Sequence, residues 1–484
     1  MKLKYIFLLF SGSLMLLTAA SCKKELVDIN KNPNATQNPQ PDYLLTAAIK
    51  NTADTYWGTA NNMDASLLFV QYWAKIQYTD PDRYIYSNTS FQDLWSIGYS
   101  KSIVNLNKII SLADAQANPN YKGVALVLRS WVFTLLTDQY GDIPYKQATN
   151  IEQYLTPAYD KQRDVYFALL DDLKAAEADL DPKGKAIAGD LIYGSSTNNI
   201  AQWKKFANSL RLRIALRIAD REPEKAKQVL ADVQTEGSGY INSNADIAEL
   251  VYLDSPNQNP ISNLFDTRDD YRISKTIVDK LVELKDPRLP IYASPTKDAT
   301  PQTYVGIPNG LLVGDASNLG FTKTSKPGVY FLAPHAPAVI ISYAEVLFDQ
   351  AEAAARGLIT GNAADLYNQA VTASLNQYGI TESTTVNTYL AQASVKYDAS
   401  NYKKSIGNQK WIALFGQGLE AFAEWRRLDY PQLTPAVAGT LNGKIPVRFI
   451  YPGTEQSLNG ASYKAAITDQ GPDLLTTKLW FDVN

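Results

Sequence analysis

Apolar residues recur every three to four positions over most of this chain, a spacing that places them on one face of a helix. The pattern predicts helices over the segments 41–57, 62–78, 91–110, 123–140, 163–180, 203–220 and 274–284. Further along, 343–379 predicts two helices joined by a short turn, and 411–431 predicts a last long helix that Pro431 ends. We therefore expect a mainly helical protein.

The pattern changes between about 237 and 341, where Gly, Pro, Asn and Ser are frequent and helical spacing is largely lost. We expect long loops and short strands there, and a loop-like end after Pro431. Small alanines within 343–379 would let its two helices cross closely, as in tetratricopeptide repeats, although the full repeat signature is missing. The predicted fold class is mainly α: a tetratricopeptide-like scaffold of helix pairs with a loop-rich region and short strands.

Bulky and charged side chains on the predicted helices have different expected positions. Tryptophans on apolar stripes should pack in the core, namely Trp95, Trp203, Trp411 and Trp425. The arginines of 203–220 and just beyond fall on the other faces of their helix, namely Arg211, Arg213, Arg217 and Arg221. We expect these arginines on a solvated or ion-paired helix surface, with a phosphate or acid site as the alternative.

The first 22 residues have the layout of an export signal. Lys2 and Lys4 precede an apolar run over 6–17, and small residues lead to Cys22. The apolar run is too short to span a bilayer, which needs about 20 residues. A cysteine directly after small residues is similar to the bacterial lipoprotein signal, which would place lipid on Cys22. The alternative is an ordinary signal peptide with Cys22 incidental.

The expected organisation follows from these segments. Residues 1–21 form the signal peptide, 22–40 a lipidated tether rich in Asn and Pro, and 41–484 a single domain. Within that domain the helical scaffold covers 41–236 and 342–430. The loop-rich part covers 237–341 and 431–484.

Composition argues against several kinds of site. The chain has one histidine, His335, and one cysteine, so a zinc site built from His and Cys cannot form. His335 lies in a predicted loop and no serine stands in a G-x-S-x-G elbow, which argues against a Ser–His–Asp triad. A net charge of −3 without basic runs argues against nucleic acid. We expect no metal and no cofactor, which leaves carboxylate chemistry or binding alone.

Seven segments, in their order along the chain, resemble the SusD/RagB family of nutrient-binding outer-membrane lipoproteins from Bacteroidetes: CKKELVDINKNPN, YGDIPY, WKKFANSLRLRIALRIAD, DPRLPIYA, ISYAEVLFDQAEAAARG, QKWIALFGQGLEAFAEWRRLDYP and IPVRFIYPGTEQSLN. Each is weak alone, but the ordered set covers nearly the whole mature chain. The resemblance implies a tetratricopeptide-like scaffold, a SusC-type TonB-dependent barrel as partner, and a glycan or peptide ligand. It also implies surface display on the outer membrane, although Lys23 and Lys24 stand where the export signal is usually acidic.

Ligand contacts are predicted in the segment 56–99, a quarter of which is aromatic against 11% of the whole chain. Asp80 and Pro81 break the preceding predicted helix, so the residues up to Ser90 form a loop. Rings for the apolar faces of sugars occur there beside charged groups for their hydroxyls. The candidate contacts are Trp73, Tyr78, Asp80, Arg83, Tyr84 and Tyr86. The alternative is that these rings pack on the scaffold or against a barrel.

A second polar cluster, DTRDDYRIS, precedes the helix predicted over 274–284. Beside Arg268 it supplies four further candidate ligand contacts: Asp269, Asp270, Tyr271 and Arg272. The same residues could instead form an ion-paired helix start. No segment has the D-x-D-x-D-G spacing of an EF-hand, so calcium is unsupported.

We therefore expect a cell-surface lipoprotein that binds nutrient and delivers it to a transporter, and that is not an enzyme. Two alternatives remain open. One is a surface glycoside hydrolase that uses two carboxylates, although no pair stands out in the sequence. The other is a scaffold lipoprotein whose helix pairs bind only protein.

Overall fold

The structure is a computed structural model that describes residues 38–194, 196–298, 301 and 303–483. The backbone from Pro41 onwards forms one compact unit. The predicted signal peptide, the lipidation site Cys22 and most of the predicted tether lie outside the described residues. Within the described part of the chain, no helix is both long and apolar enough to cross a bilayer.

Helices dominate this unit, and several begin at a proline, whose fixed φ suits the first helical turn. The α-helices are α1 (Pro41–Tyr56), α2 (Leu67–Phe69), α3 (Gln92–Ile97), α4 (Val104–Gln116), α5 (Pro119–Tyr140), α6 (Gln162–Asp179), α7 (Asn199–Ile218), α8 (Pro223–Glu236), α9 (Pro260–Phe265), α10 (Lys275–Glu283), α11 (Leu289–Tyr292), α12 (Val313–Asn318), α13 (Val329–Leu332), α14 (Tyr343–Ala355), α15 (Ala363–Gln377), α16 (Ser383–Leu390), α17 (Tyr402–Ala413), α18 (Gly418–Leu428), α19 (Gly453–Leu458) and α20 (Gly460–Gln470). The π-helices are Thr59–Ser66 and Gly98–Ile103, and the 3₁₀ turns are Pro81–Arg83, Ala148–Asn150, Asn244–Asp246 and Ala399–Asn401.

Four short strands form two separate antiparallel pairs within the described residues. The strands are β1 (Trp73–Lys75), β2 (Ala248–Leu250), β3 (Tyr271–Ile273) and β4 (Ala338–Ile341). β1 pairs with β3, and β2 pairs with β4. The short strands expected between 237 and 341 are therefore present, and one of them pairs with a segment near the start of the domain.

Helices that follow one another along the chain pack against each other. α4 contacts α5, α5 contacts α6, α6 contacts α7, α7 contacts α8, and α14 contacts α15. This serial pairing confirms the mainly α, tetratricopeptide-like fold class. Trp95, Trp203 and Trp411 are buried as expected, and Trp425 is half-buried against the same core.

The helix predicted over 62–78 is wrong beyond Phe69. A π-helix comes first, α2 is short, and Gln71 takes the left-handed conformation with φ of 57° before β1 begins. The residues Trp73–Lys75 are all buried. A strand that is buried on both faces has no alternation of apolar and polar residues. Over three residues, the spacing of apolar positions therefore cannot distinguish such a strand from part of a helix.

The single long helix predicted over 411–431 is also wrong, because α17 and α18 are separated at Gly416. Gly416 has φ of 93°, and a Cβ there would lie 2.8 Å from the ring of Trp57. Only glycine therefore fits this turn. The loop predicted after Pro431 instead contains α19 and α20, which bury so little that they leave no apolar stripe in the sequence.

The surface position expected for the arginines of α7 is wrong for three of them, since Arg211, Arg213 and Arg217 are buried. The ion-paired part of that expectation holds. Arg217 donates to Asp138 on α5 at 3.0 Å and to Glu420 on α18 at 2.7 Å, and it also pairs with Glu424. These carboxylates lie far from Arg217 along the chain, so local spacing gives no sign of them.

Glu424 on α18 is the point where several buried cations meet. It pairs with Arg217, with Lys410 on α17 at 2.7 Å and with Arg427 at 2.7 Å. Although burial opposes it, Arg427, Lys410 and Arg217 hold the pKa of Glu424 well below its usual value. The network continues to α14, where Glu345 accepts from Arg213 and Glu352 from Arg427.

We expect the substitution Arg217→Ala to destabilise the protein by about 3–5 kcal/mol, since it leaves buried carboxylates without their cation. The measurement is the free energy of unfolding in urea, followed by circular dichroism. The matched control is Arg163→Ala, which removes an exposed ion pair with Glu222 and should change stability little. Equal stability losses in the two variants would contradict the role given to Arg217.

Candidate ligand-binding site

The pairing of β1 with β3 brings the two predicted ligand clusters together. Lys75 lies opposite Tyr271, and Trp73 lies opposite Ile273. The aromatic segment around 56–99 and the polar cluster before α10 therefore form one region, although they are nearly 200 residues apart. Sequence spacing alone does not reveal this contact.

Lys75 is the buried centre of this region, with a side chain only 1% exposed. Its Nζ lies 2.5 Å from Asp270 Oδ2, 3.0 Å from Asp64 Oδ1 and 3.7 Å from the ring centroid of Tyr271. Tyr271 also donates its hydroxyl to Asp64 Oδ1 at 2.6 Å. A buried ammonium needs such partners because an unpaired desolvated charge costs several kcal/mol. Lys75 therefore fixes both carboxylates.

Asp270 extends this anchoring to Arg268. Its two oxygens accept from Arg268 Nε at 2.9 Å and from Nη2 at 2.6 Å. Although burial opposes it, Arg268 and Lys75 lower the pKa of Asp270, so its carboxylate stays ionised. The Arg268 guanidinium in turn lies 5.4 Å from the ring centroid of Tyr78, a cation–π distance.

Tyr78 presents its ring to solvent, with 67% of the residue exposed. Its φ of 51° is in the left-handed region, which is rare for a bulky side chain and costs about 1–3 kcal/mol. Such strain persists where the surrounding structure fixes it, and it concentrates at functional sites. An exposed ring with a cation beside it suits stacking on the apolar face of a sugar.

A cavity of about 390 Å³ opens beside this ring. The lining residues are Asp64, Lys75, Gln77, Tyr78, Thr79, Asp80, Pro81, Arg268 and Val313. Tyr78, Pro81 and Val313 contribute apolar faces, and the others contribute charges and hydrogen-bonding groups. The Thr79 hydroxyl is buried and has no hydrogen-bond partner among the described residues. A pocket of this size with a few convergent polar groups is typical of a small-molecule site.

The carboxylate of Asp82 holds the loop that carries Tyr78. It accepts from the backbone N–H of Lys75 at 3.1 Å, the backbone N–H of Gly310 at 2.9 Å and Asn309 Nδ2 at 2.7 Å. Burial raises the pKa of Asp82 to about 6, against the lowering effect of these donors. Its negative charge at neutral pH therefore joins the loop to the turn at Asn309.

Three of the aromatic candidates lie differently from Tyr78. Trp73 is buried in β1, and Tyr84, predicted from the sequence as a loop residue that contacts ligand, is also buried, with only 2% of it accessible. The Tyr84 ring contacts Phe69, and its hydroxyl accepts from a backbone N–H. Tyr86 is half-buried, donates its hydroxyl to the backbone of Asp64 at 2.6 Å, and so supports the cavity wall. These packed positions match the alternative that such rings pack on the scaffold.

The charged candidates divide between the cavity and its support. Asp80 lines the cavity, whereas Arg83 is not among the described lining residues and donates to the backbone carbonyl of Ala438 at 3.1 Å. Arg272 is buried and bonds Asp269 at 2.8 Å and the hydroxyl of Thr324 at 3.1 Å. Asp270 and Tyr271 belong to the floor built on Lys75. Whether any of them contacts a ligand stays a prediction, and the geometry favours Tyr78 and Asp80.

Five of the lining residues are not named among the sequence-based candidates, namely Asp64, Lys75, Gln77, Thr79 and Val313. Asp64 lies on the π-helix Thr59–Ser66 and Lys75 lies in β1. Both residues fall within 62–78, the segment whose spacing predicts a helix. Val313 begins α12 and is half-exposed. The one available signal was a charged residue inside an apolar run, since Lys75 is flanked by buried residues and must have a buried partner.

The region presents an aromatic ring, charged side chains and hydrogen-bonding groups to the cavity. Among the described residues, no group of three or more His, Cys, Asp or Glu side chains is placed to hold a metal ion.

Comparison with known proteins identifies relatives over almost the whole chain. A sequence model of the SusD-like family, described as starch-binding and associating with the outer membrane, matches residues 33–452. No curated protein sequence matches the chain.

Several solved structures share this fold. One, described as a chitin-binding protein, is 28% identical, covers 92% of this chain and 100% of its own, and has a TM-score of 0.82. A SusD homologue from Bacteroides uniformis is 26% identical, covers 91% of this chain and 100% of its own, and has a TM-score of 0.79. A chitin-binding SusD homologue from Flavobacterium johnsoniae is 24% identical, covers 92% and 98% of the two chains, and has a TM-score of 0.82.

We expect Asp82→Ala to destabilise the protein by at least about 1–3 kcal/mol, because it leaves buried N–H donors without an acceptor. Faster cleavage of the loop near Tyr78 in limited proteolysis should accompany the loss. The matched control is Asp80→Ala, whose side chain is largely exposed and should change stability by less than about 0.5 kcal/mol. If Asp82→Ala melted at the same temperature as the wild type, Asp82 would not anchor the loop that carries Tyr78.

Proposed function

This chain belongs to the SusD-like family, and from that membership we propose that it is a cell-surface lipoprotein that binds a glycan beside Tyr78. The bound glycan is then delivered to a SusC-type TonB-dependent barrel in the outer membrane. The observation that carries the binding role is the exposed ring of Tyr78 beside the ion-paired side chains of Lys75, Asp270 and Arg268. An exposed aromatic ring gains contact area when a sugar covers it.

The fixed ion pairs and hydrogen bonds of two carboxylates beside the cavity, Asp270 and Asp82, support binding over glycoside hydrolysis at these two positions. A hydrolase of this kind needs a carboxylic acid with a raised pKa that reaches the substrate. Asp270 has a lowered pKa and is bonded to Lys75 and Arg268. Asp82 has the raised pKa, but it is enclosed by its N–H donors and does not line the cavity. The two carboxylates are thus engaged in holding the site together.

A glycan is the proposed ligand class because the cavity alternates apolar and polar groups. Tyr78 and Val313 suit the carbon face of a sugar, while Asp64, Asp80 and Arg268 suit its hydroxyls. A similar protein is described as chitin-binding at 28% identity, which makes chitin oligosaccharides the first probe. Delivery to a barrel and lipid at Cys22 complete the proposal, and the family's description includes association with the outer membrane.

We expect Tyr78→Ala to weaken the binding of chitohexaose about tenfold to a hundredfold, which corresponds to about 1–3 kcal/mol for a lost aromatic contact. The measurement is isothermal titration calorimetry on a form that starts at residue 25. Thermal stability should stay close to that of the wild type, because the ring is exposed. The matched control is Tyr43→Ala, whose ring is similarly exposed on α1 and does not line the cavity. Unchanged affinity in Tyr78→Ala would exclude this ring from the site.

We expect Cys22→Ala to release the protein from the membrane fraction, because the thiol that would carry the lipid is lost. The measurement is detergent phase separation of cells that express either form, followed by immunoblotting. Equal partitioning of the wild type and the variant into the detergent phase would rule out an anchor at Cys22.

A further inference from the structure

A second cavity, of about 440 Å³, adjoins the first through a shared residue. Asp64 lines both cavities. The second cavity lies between the end of α1, the π-helix Thr59–Ser66 and α3. π-helical turns are rare, and they occur frequently at functional sites.

Asn61, on this π-helix, is the observation that points to a ligand. The residue is 1% exposed and belongs to the wall of the second cavity. Its side-chain Oδ1 is buried and has no hydrogen-bond partner among the described residues. A buried acceptor left in this state costs about 1–3 kcal/mol, and a donor that enters the cavity would remove that cost.

The remaining polar groups of the second cavity are mainly acceptors. Asp54, Asp64 and Asp93 line it, and no lysine or arginine is among its described lining residues. Asp64 bonds Lys75 and Tyr271 through Oδ1, while its Oδ2 has no hydrogen-bond partner in the described part of the chain. Such a wall suits a neutral group rich in O–H or N–H donors and disfavours an anionic one.

We propose that this second cavity is a further glycan subsite, so that one oligosaccharide lies across both cavities and passes over Asp64. This inference rests on the proposed function. Tyr78 holds one sugar unit by its apolar face. Asn61, Asp64 and Asp93 receive the hydroxyl and amide N–H donors of a unit further along the same chain. The ligand class is therefore an extended, uncharged oligosaccharide of more than two units.

The experiment measures the affinities of chitobiose and chitohexaose by titration calorimetry. Chitohexaose should bind the wild type more tightly than chitobiose does, since only the longer probe reaches both cavities. Asn61→Leu, which removes the buried acceptor at similar size, should weaken chitohexaose about tenfold and leave chitobiose unchanged. Asp93→Asn alters an exposed residue, keeps its shape and should act in the same direction, so the test does not depend on how Asn61→Leu folds.

The outcomes separate this inference from the proposed function. Equal affinities of the wild type for the two probes would overturn the second subsite, and so would unchanged chitohexaose binding in both Asn61→Leu and Asp93→Asn. An equal loss for both probes in these variants would also overturn it, because the change would then act on the first cavity. In each of these cases a weakened Tyr78→Ala would still support the proposed function. If the wild type bound neither probe, the proposal that the protein binds chitin oligosaccharides would be wrong, and this inference would be wrong with it.

Discussion

The structure depends above all on the burial of Arg217 among carboxylates from different helices. A guanidinium removed from water is tolerable only if anions and hydrogen bonds replace its hydration. Here Asp138 comes from α5, and Glu420 and Glu424 come from α18, while Arg217 itself lies on α7. Because each charge is stable only with its partners in place, one relative placement of these three helices satisfies them all.

This scaffold also determines where the candidate site is built. Trp411 on α17 donates its indole N–H to the backbone of Val70 at 2.9 Å, and Tyr72 donates its hydroxyl back to the Trp411 carbonyl. These bonds fix the backbone just before β1, which carries Lys75. Lys75 in turn bonds Asp270, and Asp270 bonds Arg268. The guanidinium of Arg268 then lies over the ring of Tyr78. The cavity is therefore an extension of the helical core, although its own walls are loops and three-residue strands.

The sequence predicts the elements that depend on local spacing and misses those that depend on distant partners. Helices such as α5 and α7 carry long apolar stripes, so periodicity places them correctly. The burial of Arg217 could not be predicted in this way, because its anions lie 79 and 203 residues away. The same limit applies to the site, where Lys75 meets Asp270 across 195 residues. Composition drew attention to the segment that carries Tyr78, which is the one aromatic residue among the described residues lining this cavity, but it could not separate packed rings from exposed ones.

The neighbouring carboxylates Asp80 and Asp82 show how a short loop can be both rigid and open. Asp82 faces inward and binds N–H donors from β1 and from the turn at Asn309, so the loop has little freedom. Asp80 faces outward at the cavity, two residues from Tyr78. A ligand that binds such a loop loses little free energy to ordering it, because folding has already ordered it. Both Tyr78 and Tyr84 take the left-handed conformation in this loop, one with an exposed ring and the other with a buried one, and such backbone strain persists where the surrounding contacts hold it.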